Sequence, residues 1–269
     1  MVEIFDDIRK LYTFRCPCDE LVPYIEFFSE TSLEATRKYI ATENFTVKLF
    51  PSYTPTIWIN LGSPYQLTNG NKKISVDAGT DILLLRSTIV ERTNLRTDNI
   101  FTVKFHPGGF EAVFGIEQNK IGSNVVNINT ILPADLLSKL KRLDDLDKRI
   151  TLLQDHFLQL LNLKFADTYL YKKVLDAVNT YTLSHMTYSN NQLAGELAIT
   201  DKTLYRYFKD LIGISPKNYF SIIRARTALT TYVCNKDVFS PYDHGYYDMS
   251  HFRKAVVKFT GQKLPGRDA

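Results

Sequence analysis

The hydrophobic period of this chain changes once along its length, and that change constrains the fold more than any other feature. Between about residues 40 and 106, apolar and polar side chains alternate, as in a β-strand. In the segment FTVKF, for example, Phe101, Val103 and Phe105 share one face, and Thr102 and Lys104 share the other. From about residue 133, apolar residues recur at helical spacing. The pattern predicts an α+β chain with a strand-rich first part and a helical second part.

Turn signals separate the predicted strands. Ile57, Ile59 and Leu61 fall on one face of a second strand, IWINL. Asn69-Gly70 lies between YQL and KKISV, which is the pattern of a β-hairpin. Several short strands with such turns predict a small β-barrel or sandwich.

The two parts differ in charge. We divide the 269 residues into domains 1–166 and 167–269, although no linker-like stretch marks the boundary. Residues 1–167 contain 19 Lys and Arg against 21 Asp and Glu, whereas residues 168–269 contain 14 against 8, a net charge of +6. This asymmetry indicates either a polyanionic partner for the second domain or a solvated, lysine-rich face.

The composition excludes several classes of protein. No run of eighteen apolar residues is present, and the first ten residues do not resemble a signal peptide, so we expect no membrane partner. The three cysteines, Cys16, Cys18 and Cys234, lack the spacing of a zinc site. They fit a reduced, cytoplasmic protein.

Five helices are predicted in the second domain, and their ends carry suitable capping residues. Thr200 or Asp201 can cap the third helix, and Gly213 follows it. Ser215-Pro216 is suited to begin the fourth helix. The predicted helices span residues 169–184, 191–198, 202–212, 216–233 and 249–260.

Helices 191–198 and 202–212 have the spacing of a helix-turn-helix unit. We expect an inward face made of Leu193, Ala194, Leu197, Leu204, Phe208 and Leu211. The outer face of the second helix would then present Lys202, Thr203, Tyr205, Arg206 and Lys209. Such residues contact base edges in the major groove when the unit binds DNA. An ordinary helical hairpin with solvated charges fits the same pattern.

Roughly residues 170–265 resemble the DNA-binding domain of the AraC family of regulators. Its first unit is similar to QLAGELAITDKTLYRYFKDLIGISPKNYFSIIRARTAL, and the close of its second unit is similar to GYYDMSHFRKAVVKFTGQKLP. The resemblance implies two helix-turn-helix units, held about 27 Å apart by helix 216–233 and reading successive major grooves of double-stranded DNA. The candidate DNA contacts are then Asp201, Lys202, Thr203, Tyr205, Arg206, Lys209, Lys217, Arg224, Met249, Ser250, His251, Arg253, Lys254 and Lys258.

Two of these positions have alternative roles in the family. Lys217 and Arg224 match residues that contact the DNA backbone or support the interior. For Arg224, anchoring the two units to each other and binding phosphate remain equally good interpretations.

The second unit departs from the family pattern. The segment KDVFSPYDHG stands where a regular helix is usual, and Pro241 interrupts it. Val256-Val257 replaces the usual Phe-Lys pair. We therefore expect a short or distorted supporting helix and a second unit that assists the first.

The N-terminal part resembles, more weakly, the cupin-like domains that accompany this DNA-binding domain in bacterial regulators, notably of Bacteroidetes. The similar segments are CPCDELVPYIEFF, IWINLGSPYQL and FHPGGFEAVFGI. The resemblance implies a small-molecule effector, homodimerisation, or both. His106 is the single histidine of the first 155 residues, which is too few for a cupin metal site. We expect no catalytic activity, no metal and no cofactor.

Two further features of this domain have two interpretations each. Trp58 and its aromatic neighbours either line a ligand pocket or form plain core. Helix 148–163 either forms a dimer seam or packs on its own barrel, through Ile150, Leu153, Phe157 and Leu160.

The sequence thus favours a sequence-specific DNA-binding transcription regulator. The alternative is a ligand- or protein-binding module whose DNA binding has decayed, and a barrel enzyme is disfavoured by the shortage of histidines.

Overall fold

Ten β-strands form two antiparallel sheets in the residues that the computed structural model describes, which are 3–4, 8–122, 124–161 and 168–264. The larger sheet has the spatial order β1 (Tyr12–Arg15), β2 (Ile25–Thr31), β9 (Ile100–Phe105), β4 (Pro55–Asn60), β7 (Ile82–Leu85), β10 (Val125–Asn127). The smaller has the order β3 (Asn44–Leu49), β8 (Val90–Leu95), β5 (Tyr65–Asn69), β6 (Lys72–Val76). Strands therefore occupy the predicted region of the chain and also flank it on both sides.

The predicted hairpin and the inward face of IWINL are confirmed. Strands β5 and β6 pair across Gly70, whose φ of 60° suits the turn. Ile57 and Ile59 are fully buried in one core cluster.

Strand β9 is buried on both faces, which corrects the prediction of a half-buried strand. Phe101, Val103 and Phe105 pack toward the helices, as expected. Thr102 and Lys104, expected on an open polar face, are also buried. The second sheet covers that face, since the core between the sheets contains residues of both, such as Trp58, Tyr65 and Leu67.

Four helices accompany the sheets in the described part of the first domain. They are α1 (Leu33–Tyr39), α2 (Gly109–Phe114), α3 (Ala134–Arg142) and α4 (Leu146–Leu160). Helix α4 packs on its own domain, which is the second of the two interpretations of this helix. Ile150, Leu153 and Phe157 are buried, and the Phe157 ring lies 5.5 Å from that of Phe114. Leu160, the fourth residue of that stripe, is exposed.

The second domain is helical, and its helices match their predicted bounds to within two residues. They are α5 (Tyr169–Leu183), α6 (Asn190–Glu196), α7 (Asp201–Leu211), α8 (Pro216–Cys234) and α9 (Met249–Thr260). Thr200 caps α7, and Ser215 caps α8 with Pro216 in its first turn, as predicted. The predicted boundary between residues 166 and 167 lies outside the described residues.

The two domains share a hydrophobic core and also contact each other at several other places. The side-chain amide of Gln118 donates to the carbonyl oxygens of Tyr53 and Ile212, at 2.6 and 3.0 Å. Near the other end of the helical domain, the rings of Phe50 and Phe259 lie 5.8 Å apart. The first domain therefore contacts both helix-turn-helix units.

None of the helices in the described ranges has the length and apolar character that crossing a bilayer requires.

Candidate nucleic-acid interface

The first helix-turn-helix unit consists of α6, a short turn and α7. A capping box formed by Ser189 and Gln192 begins α6. The hydroxyl of Thr200 accepts a hydrogen bond from the amide of Thr203 and begins α7. Between them, Ala198 has a φ of 53°, which ends the first helix and lets the chain reverse.

The predicted inward face of this unit is confirmed. All six of its side chains are buried, so α6 and α7 are locked together by apolar packing. These residues are Leu193, Ala194, Leu197, Leu204, Phe208 and Leu211.

Helix α7 presents a continuous exposed stripe opposite that core. Lys202, Tyr205, Arg206 and Lys209 are exposed and occur at i, i+3, i+4 and i+7, so they lie on one helical face. The Lys209 ammonium lies 5.9 Å from the centroid of the Tyr205 ring. A stripe of this spacing is the one with which a recognition helix contacts bases in homeodomains.

The two other candidates on α7 have different surroundings. Thr203 is half-buried, and its hydroxyl shares a hydrogen bond with that of Thr200 at 2.9 Å, so capping holds this side chain. Asp201 is exposed in the first turn and lines a surface groove with Lys217 and Arg224.

Helix α9 holds the corresponding position in the second unit. Asp248 caps it, accepting a hydrogen bond from the His251 amide at 2.7 Å. Met249 is half-buried, which leaves one predicted contact less accessible than the rest. The remaining candidates on this helix are exposed: Ser250, His251, Arg253, Lys254 and Lys258.

The predicted distortion before α9 is confirmed. A single 3-10 turn, Tyr242–His244, stands at the place where a regular helix is usual in the family, and Pro241 precedes it. Phe239 fills the space, because its ring lies 4.8 Å from that of Phe252 in α9. An aromatic cluster therefore replaces part of the helical support.

Lys217 and Arg224 on α8 differ in what they contact. Lys217 is exposed in the first turn of the helix. The Arg224 guanidinium donates to the carbonyl oxygen of Gly245 at 3.1 Å and lies 4.8 Å from the centroid of the Tyr246 ring. These contacts favour anchoring of the second unit over phosphate binding for Arg224.

A cavity of about 80 Å³ lies in the first domain, and α8 contributes to its wall. Trp58 lines it, together with Tyr12, Phe14 and Phe27, and also belongs to the core between the sheets, so its position fits both interpretations. Among the described residues of the wall, five cationic side chains stand against two acidic ones. They are Arg9, Arg86, Arg92, Lys104 and Arg226 against Glu3 and Glu26.

Ion pairs connect these charges across the two domains. One Glu3 carboxylate oxygen lies 3.1 Å from the Arg226 guanidinium, and the other lies 3.6 Å from Arg86. Lys104 pairs with Glu26 at 3.1 Å. The Glu3–Arg226 pair therefore ties α8, the helix that joins the two helix-turn-helix units, to the wall of this cavity.

Burial and mutual repulsion shift the ionisation of the cavity wall. Burial, together with the neighbouring Arg226 and Arg86, lowers the pKa of Lys104 to about 7, although Glu26 and Glu3 act in the opposite direction. Burial alone would raise the pKa of Glu3, but Arg226 and Arg86 outweigh it and hold that pKa at about 2. The cavity thus contains a lysine that changes charge near neutral pH.

Sequence reasoning did not find Glu3, Arg86 or Arg226. The sequence contains one signal for Arg226, because it lies on the same face of α8 as the apolar residues Ile222 and Leu229. Nothing in the sequence brings it to Glu3, which is 223 positions away.

Among the described residues, no group of three or more His, Cys, Asp or Glu side chains is placed to hold a metal ion. His106 is half-buried directly after β9, and burial lowers its pKa.

Comparison with known proteins gives only distant structural similarity. No family model matches the chain, and no curated protein matches it. ToxT from Vibrio cholerae O395 is 14% identical, with 83% of this chain and 92% of that chain covered and a TM-score of 0.46. The same protein bound to (E)-4-(8-methylnaphthalen-1-yl)but-3-enoic acid is 11% identical, with 83% of this chain and 97% of that chain covered and a TM-score of 0.46. The AraC-like transcriptional activator CuxR is 13% identical, with 84% of this chain and 90% of that chain covered and a TM-score of 0.29.

Proposed function

We propose that this protein is a sequence-specific DNA-binding transcription regulator of the AraC type. The observation that carries the proposal is the stripe of Lys202, Tyr205, Arg206 and Lys209, exposed on one face of a helix whose opposite face is locked into a helix-turn-helix core. In this function α7 reads base edges in one major groove, and lysines neutralise phosphates.

The second unit assists on the same face of the DNA. Helix α8 has 19 residues and is therefore about 28 Å long, close to the ~34 Å between successive major grooves. The 3-10 turn before α9 gives this unit weaker support than α6 gives α7, so α7 supplies most of the specificity.

The test is fluorescence anisotropy with duplexes selected from genomic fragments. We expect the full chain to prefer a selected duplex over a scrambled one, and to lose affinity steeply as salt rises, because each phosphate contact releases counterions. Binding that ignores both salt and sequence would contradict the proposal. Ligand or partner binding at micromolar concentration without any selected duplex would favour the module with decayed DNA binding.

We also propose that the cavity binds a small anionic effector. The support is its surplus of cationic side chains and its aromatic wall. Because Arg226 belongs to both the cavity and α8, an occupant that competes with Glu3 for this guanidinium alters how α8 is held.

Thermal denaturation with a panel of small aromatic and aliphatic carboxylates tests the effector site, with the matching neutral amides as controls. We expect a carboxylate to raise the melting temperature and its amide to have no effect, since only the charged form meets the cations. Lys104→Met should weaken the response. Equal stabilisation by acid and amide would contradict an anion site.

A further inference from the structure

The two recognition helices bury the same positions. In α7 the buried apolar residues are Leu204, Phe208 and Leu211, and in α9 they are Phe252, Val256 and Phe259. Both sets are spaced by four and then three residues. Each residue of α7 therefore corresponds to the residue 48 positions later in α9. The two helices present equivalent outer faces.

This correspondence identifies the base-facing stripe of α9. Lys202, Tyr205, Arg206 and Lys209 correspond to Ser250, Arg253, Lys254 and Val257, which again occur at i, i+3, i+4 and i+7. Three of the four positions keep a polar or charged side chain. At the fourth, an apolar valine stands where α7 has a lysine.

Val257 is not part of the core. Its side chain is 43% exposed, whereas the neighbouring Val256 is 1% exposed and packs inside the unit. Val257 lines a groove together with Arg253 and Lys254. Val257 is therefore accessible to a partner that fills this groove.

The groove fits a polyanion. Four cationic side chains line it, and Asp237 is the one acidic residue among the lining residues described. Lys236 and Lys263 are in the groove wall outside α9, where they can reach phosphates while α9 faces the bases. In the major groove, the apolar group that a side chain such as valine can contact is the 5-methyl group of thymine.

We propose that Val257 contacts the 5-methyl group of a thymine and so makes the second unit select a T·A pair at one step of its major groove. Arg253 and Lys254 bind the flanking bases or phosphates. The inference rests on the proposed function, because it requires that α9 lie in a major groove. It gives the second unit a sequence preference of its own, which differs from that of α7 because Lys209 cannot make this contact.

Selection of duplexes from a random pool, followed by single-atom changes in the DNA, tests the inference. Each thymine of the selected duplex is replaced in turn by uracil, which lacks only the methyl group. We expect one replacement in the second half-site to weaken binding of the full chain about fourfold, the effect of one buried methyl. Val257→Ala should bind the two duplexes equally. Val238→Ala, which truncates an exposed valine outside the groove, should keep the difference.

The outcomes separate the inference from the proposed function. If no duplex is enriched and none binds above scrambled DNA, both are overturned. If a duplex is bound specifically but uracil is tolerated at every thymine, the inference alone is overturned. If that tolerance is accompanied by binding of a polyglutamate peptide that Val257→Ala weakens, the groove belongs to an acidic protein partner.

Discussion

Arg224 and Arg226 lie two residues apart on one helix, yet the fold gives them unrelated surroundings. Arg224 faces the second helix-turn-helix unit, where it donates to Gly245. Arg226 faces the other domain and pairs with Glu3. A helix rotates by about 200° over two residues, so neighbouring arginines necessarily serve different partners. At the scale of a residue, the position of an arginine on its helix therefore determines its partner more than its charge does.

Replacing Arg206 tests the proposal that the exposed stripe of α7 reads bases. Arg206→Ala should weaken specific binding by about 1–3 kcal/mol if the guanidinium contacts a base, and should relax specificity at one position. Anisotropy on the selected duplex measures the change. Arg142→Ala, an exposed arginine in the first domain, is the matched control and should leave affinity unaltered. Equal affinities for Arg206→Ala and wild type would remove Arg206 from the stripe.

Lys104 should make stability depend on pH above neutrality. Its pKa is about 7 in the folded protein and returns to the usual 10.5 in the unfolded chain. Between these values the unfolded chain binds the extra proton, so the free energy of unfolding rises as pH increases from 7 to 10.5. Urea denaturation should show this rise in the wild type and lose it in Lys104→Met. Lys139→Met, which changes an exposed lysine, should retain it, and a slope that survives Lys104→Met would contradict this account.

At the scale of elements, the two helix-turn-helix units reach similar geometry by different means. The first uses a regular helix, α6, with a capping box. The second uses a 3-10 turn, an aromatic filler and Gly245, which has a φ of 66°. Because the buried positions of α7 and α9 match, α9 keeps an equivalent orientation although the element that supports it is not a regular helix.

The glycine of the second turn should be intolerant of substitution. A Cβ at Gly245 would lie 2.7 Å from the carbonyl oxygen of Met186, and its positive φ disfavours any other residue. Gly245→Ala should therefore cost about 2 kcal/mol or more of unfolding free energy in urea denaturation. Gly195→Ala, in α6 with open space around it, should instead stabilise the protein by about 0.5–1 kcal/mol. Similar effects of the two changes would argue against the described turn.

At the scale of the whole molecule, the first domain holds the helical domain near both ends and in the middle. Gln118 reaches the end of α7, Glu3 reaches α8, and Phe50 reaches α9. Such contacts fix how the two recognition helices are presented. The effector that we propose for the cavity would act on the middle contact, which involves the connecting helix α8.

Neutralising Glu3 should loosen this middle contact. Glu3→Gln leaves Arg86 and Arg226 without their carboxylate partner, so stability should fall by about 2 kcal/mol, less than for a fully buried pair. Hydrogen exchange should become faster along α8. Glu91→Gln, which breaks the more exposed pair with Lys48, should change neither quantity by more than a few tenths of a kcal/mol. Unaltered exchange along α8 in Glu3→Gln would show that the contact does not hold this helix.

The sequence by itself determined the helical domain almost completely, because helix periodicity, caps and turn residues act over a few positions. Thr200, Ser215 and the apolar spacing of α7 are local signals, and each helix of this domain lies where they placed it. The tertiary structure alone decided what the alternation in β9 means. Alternation shows which side chains share a face, but not whether a second sheet covers that face, so Lys104 was expected in solvent and is buried. The pairing of Glu3 with Arg226 likewise required the fold, because only the packing of one domain on the other brings these two positions together.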